Sequence, residues 1–126
     1  MIFDTDVIIW ALRGDEKACS LLDETKELAL SVITYMELLK GASSKHHASE
    51  IHRIINKYEF NIMPVNENIG HRAFIYIEEY GFNSGMGVPD ALIAATAAES
   101  GMILCTGNYK DFKEIKDLEV KVFKVS

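Results

Sequence analysis

Four carboxylates in this chain stand where an apolar run gives way to a helical pattern. Asp4 ends the run MIFD, with Asp6 two residues on in the turn into VIIWAL. Glu37 lies in TYMELLKG, Asp90 follows Pro89 at the head of DALIAATAAES, and Asp111 lies in LCTGNYKDF. A carboxylate is costly to bury unless it is paired, hydrogen-bonded or bound to a metal. Several carboxylates in one pocket repel and raise one another's pKa. A hard divalent cation such as Mg²⁺ relieves both problems, because it prefers oxygen ligands and keeps waters and phosphate oxygens in its shell. Such a site activates water for attack on phosphorus, which makes phosphodiester hydrolysis the reaction these residues suit.

Each acid also has a plainer reading. Asp4 or Asp6 caps a helix, Thr34 to Glu37 spells the T-x-x-E capping box, Asp90 opens a helix after proline, and Asp111 follows the turn residues Gly107 and Asn108. Independent caps, however, do not require a carboxylate at nearly every junction.

Five short apolar runs are predicted strands: Ile2 to Asp4, Leu28 to Ile33, Asn61 to Val65, Met102 to Thr106 and Val120 to Val125. They read as strands buried on both faces, as in parallel sheets. Between them, Tyr35, Leu38, Leu39 and Ala42 share a helical face, as do Ala48, Ile51, Ile55 and Tyr58, and Ile69, Ala73, Ile77 and Tyr80. Asp90 to Ser100 is apolar almost all round and is predicted to be a central helix. The alternation gives an α/β class with a mostly parallel sheet of about five strands. In such sheets sites form at the carboxyl ends of strands, so four distant segments can deliver acids to one edge.

The 126 residues suit a single domain spanning 1–126, and 48% hydrophobic with 25% charged residues is an ordinary globular composition. Thirteen basic against 19 acidic residues leave a formal charge of −6, which argues against non-specific nucleic-acid binding. Cys19 and Cys105 are too few for a disulfide framework and read as buried thiols. No run approaches the ~20 apolar residues of a membrane span, and the early acids do not suit a signal peptide, so the expected compartment is the cytoplasm. His46, His47 and His52 lie in a polar stretch and read as a solvated helix face.

Together these residues resemble the PIN-domain ribonucleases, in particular the VapC-type toxins of toxin–antitoxin pairs. The resemblance rests on DTDVII, TYMELLKG, PDALIAATA and TGNYKDF in that order and spacing. It implies a three-layer α/β/α fold, with Asp4, Glu37 and Asp90 holding Mg²⁺ or Mn²⁺. The fourth acid position is occupied either by Asp111 or by Asn108; Asp111 is the expected acid and Asn108 its substrate- or water-orienting partner. Asp6 is expected to order the loop or support the site from outside. Thr106 is expected to hydrogen-bond a site carboxylate or a metal-bound water, and Thr34 to position Glu37. The resemblance further implies an RNA substrate, a cognate VapB-like antitoxin and a homodimer, with the helix from Glu67 to Tyr80 as one candidate surface and ordinary core packing as its other reading. Against the acidic total, Lys40, Lys110 and Lys113 are the cations expected to meet RNA, and Lys45, Arg53 and Arg72 are further candidates. Two other readings are a non-catalytic relative that acts by binding a partner, and a phospho-acceptor signalling domain. The latter wants an acid at the end of the third strand, where the sequence is IMPVN.

Overall fold

A computed structural model describes residues 1–126. The chain forms β1 (Ile2–Phe3), α1 (Thr5–Leu12), α2 (Glu16–Glu24), β2 (Ala29–Ser31), α3 (Val32–Lys40) and α4 (Lys45–Lys57), then β3 (Asn61–Met63), α5 (Glu67–Tyr80), α6 (Val88–Glu99), β4 (Leu104–Thr106), α7 (Tyr109–Phe112) and β5 (Val120–Val122). The five strands make one sheet in the order β3-β2-β1-β4-β5. Every neighbouring pair is parallel, for example Ile2 opposite both Ala29 and Leu104.

Period-two alternation sends the strand side chains into two cores. Ile2, Ala29 and Leu104 pack on one face with Ile69, Ala73 and Tyr76 of α5 and with α6. Phe3, Leu30 and Cys105 pack on the other with Val7 and Ile8 of α1, Ala18 and Leu22 of α2, and Ile51 and Ile55 of α4. The result is a sheet between two helical layers. Its two halves grow outward from β1, to β2 and β3 on one side and to β4 and β5 on the other. The crevice at the carboxyl ends of β1 and β4 is therefore the point where strand order reverses, the usual ligand position of open α/β sheets.

The structure corrects several sequence readings. The run LALSVI does not stay extended to Ile33: Ser31 turns the chain by capping α3, its hydroxyl accepting from the Ile33 amide at 3.1 Å. The T-x-x-E box at Thr34 and Glu37 is consequently not a cap, because Thr34 lies inside the helix with its side chain fully buried. Strands β3, β4 and β5 are each three residues long, shorter than the apolar runs that suggested them. β3 and β5 are the sheet edges and are only partly covered. Helix α2 has no counterpart in the sequence reading; it is capped by Asp15, which accepts from the Ala18 amide at 3.0 Å. Cys105 is buried as expected, whereas Cys19 is half-buried. No helix is long and apolar enough to cross a membrane.

Helix α6 is central, as its composition predicted. Ala91, Ile93, Ala94, Ala95, Thr96 and Ala97 are all buried, and the small alanines let the helix lie close to its neighbours. Arg72 of α5 ties this layer together by pairing with Glu99 at the end of α6 and with Asp117 on the approach to β5. Because Ala94 is sealed on all sides, Ala94→Leu is expected to cost about 1–3 kcal/mol through overpacking, read as a lower midpoint in urea denaturation with an unchanged m-value.

Candidate active site

The geometry begins with Asp4, whose side chain is only 6% exposed at the end of β1. Its Oδ1 accepts from the Thr5 amide at 2.8 Å, which caps α1, and its Oδ2 accepts from the Thr106 hydroxyl at 2.7 Å. The second bond spans the β1/β4 crevice. Thr106 is itself fully buried, and its Oγ1 accepts in turn from the Asn108 amide at 3.0 Å. Burial pushes the Asp4 carboxyl from its ordinary 3.8 up to about 7; the Thr106 and Thr5 bonds oppose the rise, while the charges of Asp6 and Asp90 add to it.

Asp6 points from the first turn of α1 to the loop after β4, where its Oδ2 accepts from the Gly107 amide at 2.9 Å. A Cβ on Gly107 would stand 2.6 Å from that oxygen, so this contact requires glycine. The other oxygen, Oδ1, is buried with no partner. Burial raises the Asp6 pKa despite the Gly107 and Val7 amides, which lower it.

Glu37 is exposed on α3, and its Oε1 accepts from the Thr5 hydroxyl at 2.7 Å. That hydroxyl also lies 3.4 Å from Thr34 Oγ1. Thr5, hidden in the sequence between two more conspicuous acids, therefore joins Asp4 to Glu37. Asp90, in the first turn of α6, reaches back to the Gly87 amide with Oδ2 at 3.2 Å. Its pKa is raised by burial and then by the charges of Asp111, Glu37 and Asp6, while the Gly87 bond lowers it.

Asp111 on α7 is 9% exposed. Asn108 donates through Nδ2 to Asp111 Oδ2 at 2.6 Å, and Oδ1 is buried without a partner. Gly85 lies against this free oxygen so closely that a Cβ there would come within 2.7 Å. A chain of hydrogen bonds thus runs from Asp4 through Thr106 and Asn108 to Asp111.

Mutual charge effects link the five acids, yet no three His, Cys, Asp or Glu side chains converge tightly enough to form a ready-made metal cage. The donor set nonetheless fits a hard divalent cation. It is all oxygen, it includes the unpartnered buried Oδ1 of Asp111, and burial raises the pKa of Asp4 and Asp90 in a way that an adjacent cation would reverse. Lys110 and Lys113 flank Asp111 and are exposed, and Lys40 is exposed in the last turn of α3, three residues beyond Glu37. His46 and His52 lie exposed on α4, whereas His47 is half-buried and lines a groove with Glu37.

The whole arrangement matches a known architecture. The family model for the PIN domain covers residues 1–118. The chain belongs to the PIN-domain family. Its relatives place it among the VapC-type members: it is 32% identical over 126 residues to Ribonuclease VapC1 of Rickettsia felis, covering 95% of this chain and 93% of that one. Identity to Ribonuclease VapC1 of Haemophilus influenzae is 30%, over 94% and 93% of the two chains. Among solved structures, a toxin–antitoxin complex from Klebsiella pneumoniae superposes with a TM-score of 0.78 at 33% identity, over 96% of this chain and 95% of that one. VapBC-1 from nontypeable Haemophilus influenzae gives 0.80 at 27% identity, over 97% and 98%. This VapC-type PIN domain therefore carries its acids on the fold that the sequence resemblance implied.

The raised pKa of Asp4 sets a pH dependence. A carboxyl whose folded pKa lies above its unfolded value binds the proton more tightly when folded, so its stabilising contribution is present below about pH 4 and is lost as pH rises through 7. Asp4→Asn removes that titration. In metal-free buffer the variant is expected to gain stability relative to the parent as pH rises from 4 to 8, by at most roughly 4 kcal/mol. Paired thermal melts across that range measure the difference, and a gap independent of pH contradicts the assignment.

Proposed function

We propose that this VapC-type PIN domain is a metal-dependent endoribonuclease that hydrolyses RNA phosphodiester bonds as the toxin of a toxin–antitoxin pair in the cytoplasm. The observation that carries the reading is the buried Asp4 carboxylate, cross-linked to β4 by Thr106 and electrostatically coupled to Asp90, at the crevice where strand order reverses. The names of the relatives, two of them ribonucleases and one a toxin–antitoxin complex, point the same way.

In this reading Asp4, Glu37, Asp90 and Asp111 hold Mg²⁺ or Mn²⁺. When bound, the cation supplies charge stabilisation at the scissile phosphate and lowers the pKa of an attacking water. The remaining roles belong to the protein. Thr106 and the Thr5 amide fix the plane of the Asp4 carboxylate, so its remaining lone pairs face a set direction. Thr5 Oγ1 holds Glu37, which would otherwise be a mobile exposed side chain. Asn108 immobilises one Asp111 oxygen, leaving the buried Oδ1 without a protein partner and so as the oxygen that would meet the cation. Asp6 fixes the Thr106–Asn108 loop through Gly107 and supports the site from outside.

Two surfaces support the partners. A groove of about 250 Å³ beside Glu37, walled by Ile9, Leu12, Leu38 and Ile51, suits a segment of an antitoxin that reaches the acids. Phe74 of α5, Phe82 just beyond it and Val88 at the start of α6 are 62%, 92% and 63% exposed, and such apolar side chains suit a homodimer contact.

On a mixed RNA pool with Mg²⁺ or Mn²⁺, Asp4→Asn and Asp90→Asn are expected to cut cleavage by roughly 10²–10⁴-fold, with chelation abolishing it and added cation restoring it. Equal cleavage by parent and variants refutes the reading, and circular dichroism checks that the variants fold. Phe74→Glu is expected to shift a dimer toward monomer in sedimentation velocity; an unchanged coefficient rules out α5 as the contact.

A further inference from the structure

A second cavity shares a wall with the acid cluster. It measures about 210 Å³ and no hydrophobic residue lines it. The loop residues Asn83, Ser84 and Gly85 form one side, and Lys110, Lys113 and Glu114 the other. Asp111 belongs to both places: it lines this cavity, and its charge raises the pKa of Asp90.

We propose that this cavity is a subsite for an RNA phosphate flanking the one that is cleaved, with Lys110 and Lys113 as its cations. The inference rests on the ribonuclease reading and adds where the strand leaves the acids.

Three observations support it. First, Lys110 in α7 and Lys113 at its C-cap, still in helical backbone conformation, are exposed and stand three apart, hence on the same side of that turn. The ion pairs of the chain all use Arg53 or Arg72, so neither lysine is committed to a carboxylate. Second, the loop approaches at Gly85, where the missing side chain leaves backbone facing Asp111. Asn83 adds an uncommitted side-chain amide, whereas the Ser84 hydroxyl is spent on Tyr80 O and the Met86 amide. Third, the chain carries a net −6, so a polyanion needs a local concentration of positive charge. Lys110 and Lys113 supply it here, as the two basic residues among the seven that line the cavity. Glu114 and Asp111 both oppose the anion from the same lining, which limits the subsite to modest affinity and gives the two lysines the decisive share.

The test uses whichever RNA the parent protein cleaves in a mixed pool. Lys110→Ala/Lys113→Ala is expected to raise KM about tenfold while moving kcat far less. In the cleavage-deficient Asp90→Asn background, the same two substitutions should reduce the slope of log affinity against log salt by about 1.4, the loss of two phosphate contacts on a single strand. The thermal shift produced by Mn²⁺ alone should be the same with and without them. Lys26 and Lys57 precede β2 and β3, at the opposite edge of the sheet, and Lys26→Ala/Lys57→Ala should leave the slope unchanged. If the parent cleaves RNA but the Lys110/Lys113 variant keeps its KM and salt slope, the subsite is wrong and the ribonuclease reading stands. Loss of the Mn²⁺ shift, or an equal slope change in the distant pair, also overturns the subsite. If the parent cleaves nothing, both readings fall.

Discussion

The structure is organised around a carboxylate that the fold buries at an electrostatic cost. Asp4 is not solvated on a helix surface; it sits at the end of the central strand under the Thr106 hydroxyl, 6% exposed. Desolvation and the repulsion of Asp6 and Asp90 outweigh its two hydrogen bonds and push its pKa to about 7. Local bonding alone does not offset that cost; in the metal-dependent reading proposed above a cation would, because it favours the charged form that burial disfavours.

The surrounding architecture serves that constraint. The parallel sheet brings the ends of β1 and β4 together, and the reversal of strand order opens a crevice there. Thr106, Asn108 and the Asp6–Gly107 contact fix the loop that faces Asp4, while Thr5 draws in Glu37 from α3. The alanines of α6 permit close packing, so the first turn of that helix presents Asp90 at the same edge. Two glycines serve proximity: Gly85 and Gly107 each admit a carboxylate oxygen where a Cβ would collide.

Much of this was legible in the sequence because burial and charge conflict visibly there. Asp4 stands out in MIFD, and the apolar all-round pattern of DALIAATAAES announces α6. Other features depend on three-dimensional contacts that spacing does not encode. Ser31 and Thr34 are both plausible caps in the run SVITYME, and the sheet edge decides for Ser31, leaving Thr34 buried. Helix α2 escaped although Ala18 and Leu22 of EKACSLLDE bury one face at helical spacing, because two turns of that pattern between charged ends are a short window in which to establish a period. Thr5 was overlooked between two aspartates, though a hydroxyl at the start of a helix beside a candidate ligand is a signal worth weighing. Nothing in GFNSGMG distinguishes Gly85 from its neighbours, since its contact with Asp111 joins segments 26 residues apart.

The central claim is that these acids form one cation site at the carboxyl edge of the sheet. Anomalous diffraction at the manganese edge, from crystals of the parent protein grown with Mn²⁺, tests it most directly. The account predicts density for one or two ions bounded by Asp4, Glu37, Asp90 and Asp111. A peak elsewhere on the molecule, or none at saturating Mn²⁺, contradicts it.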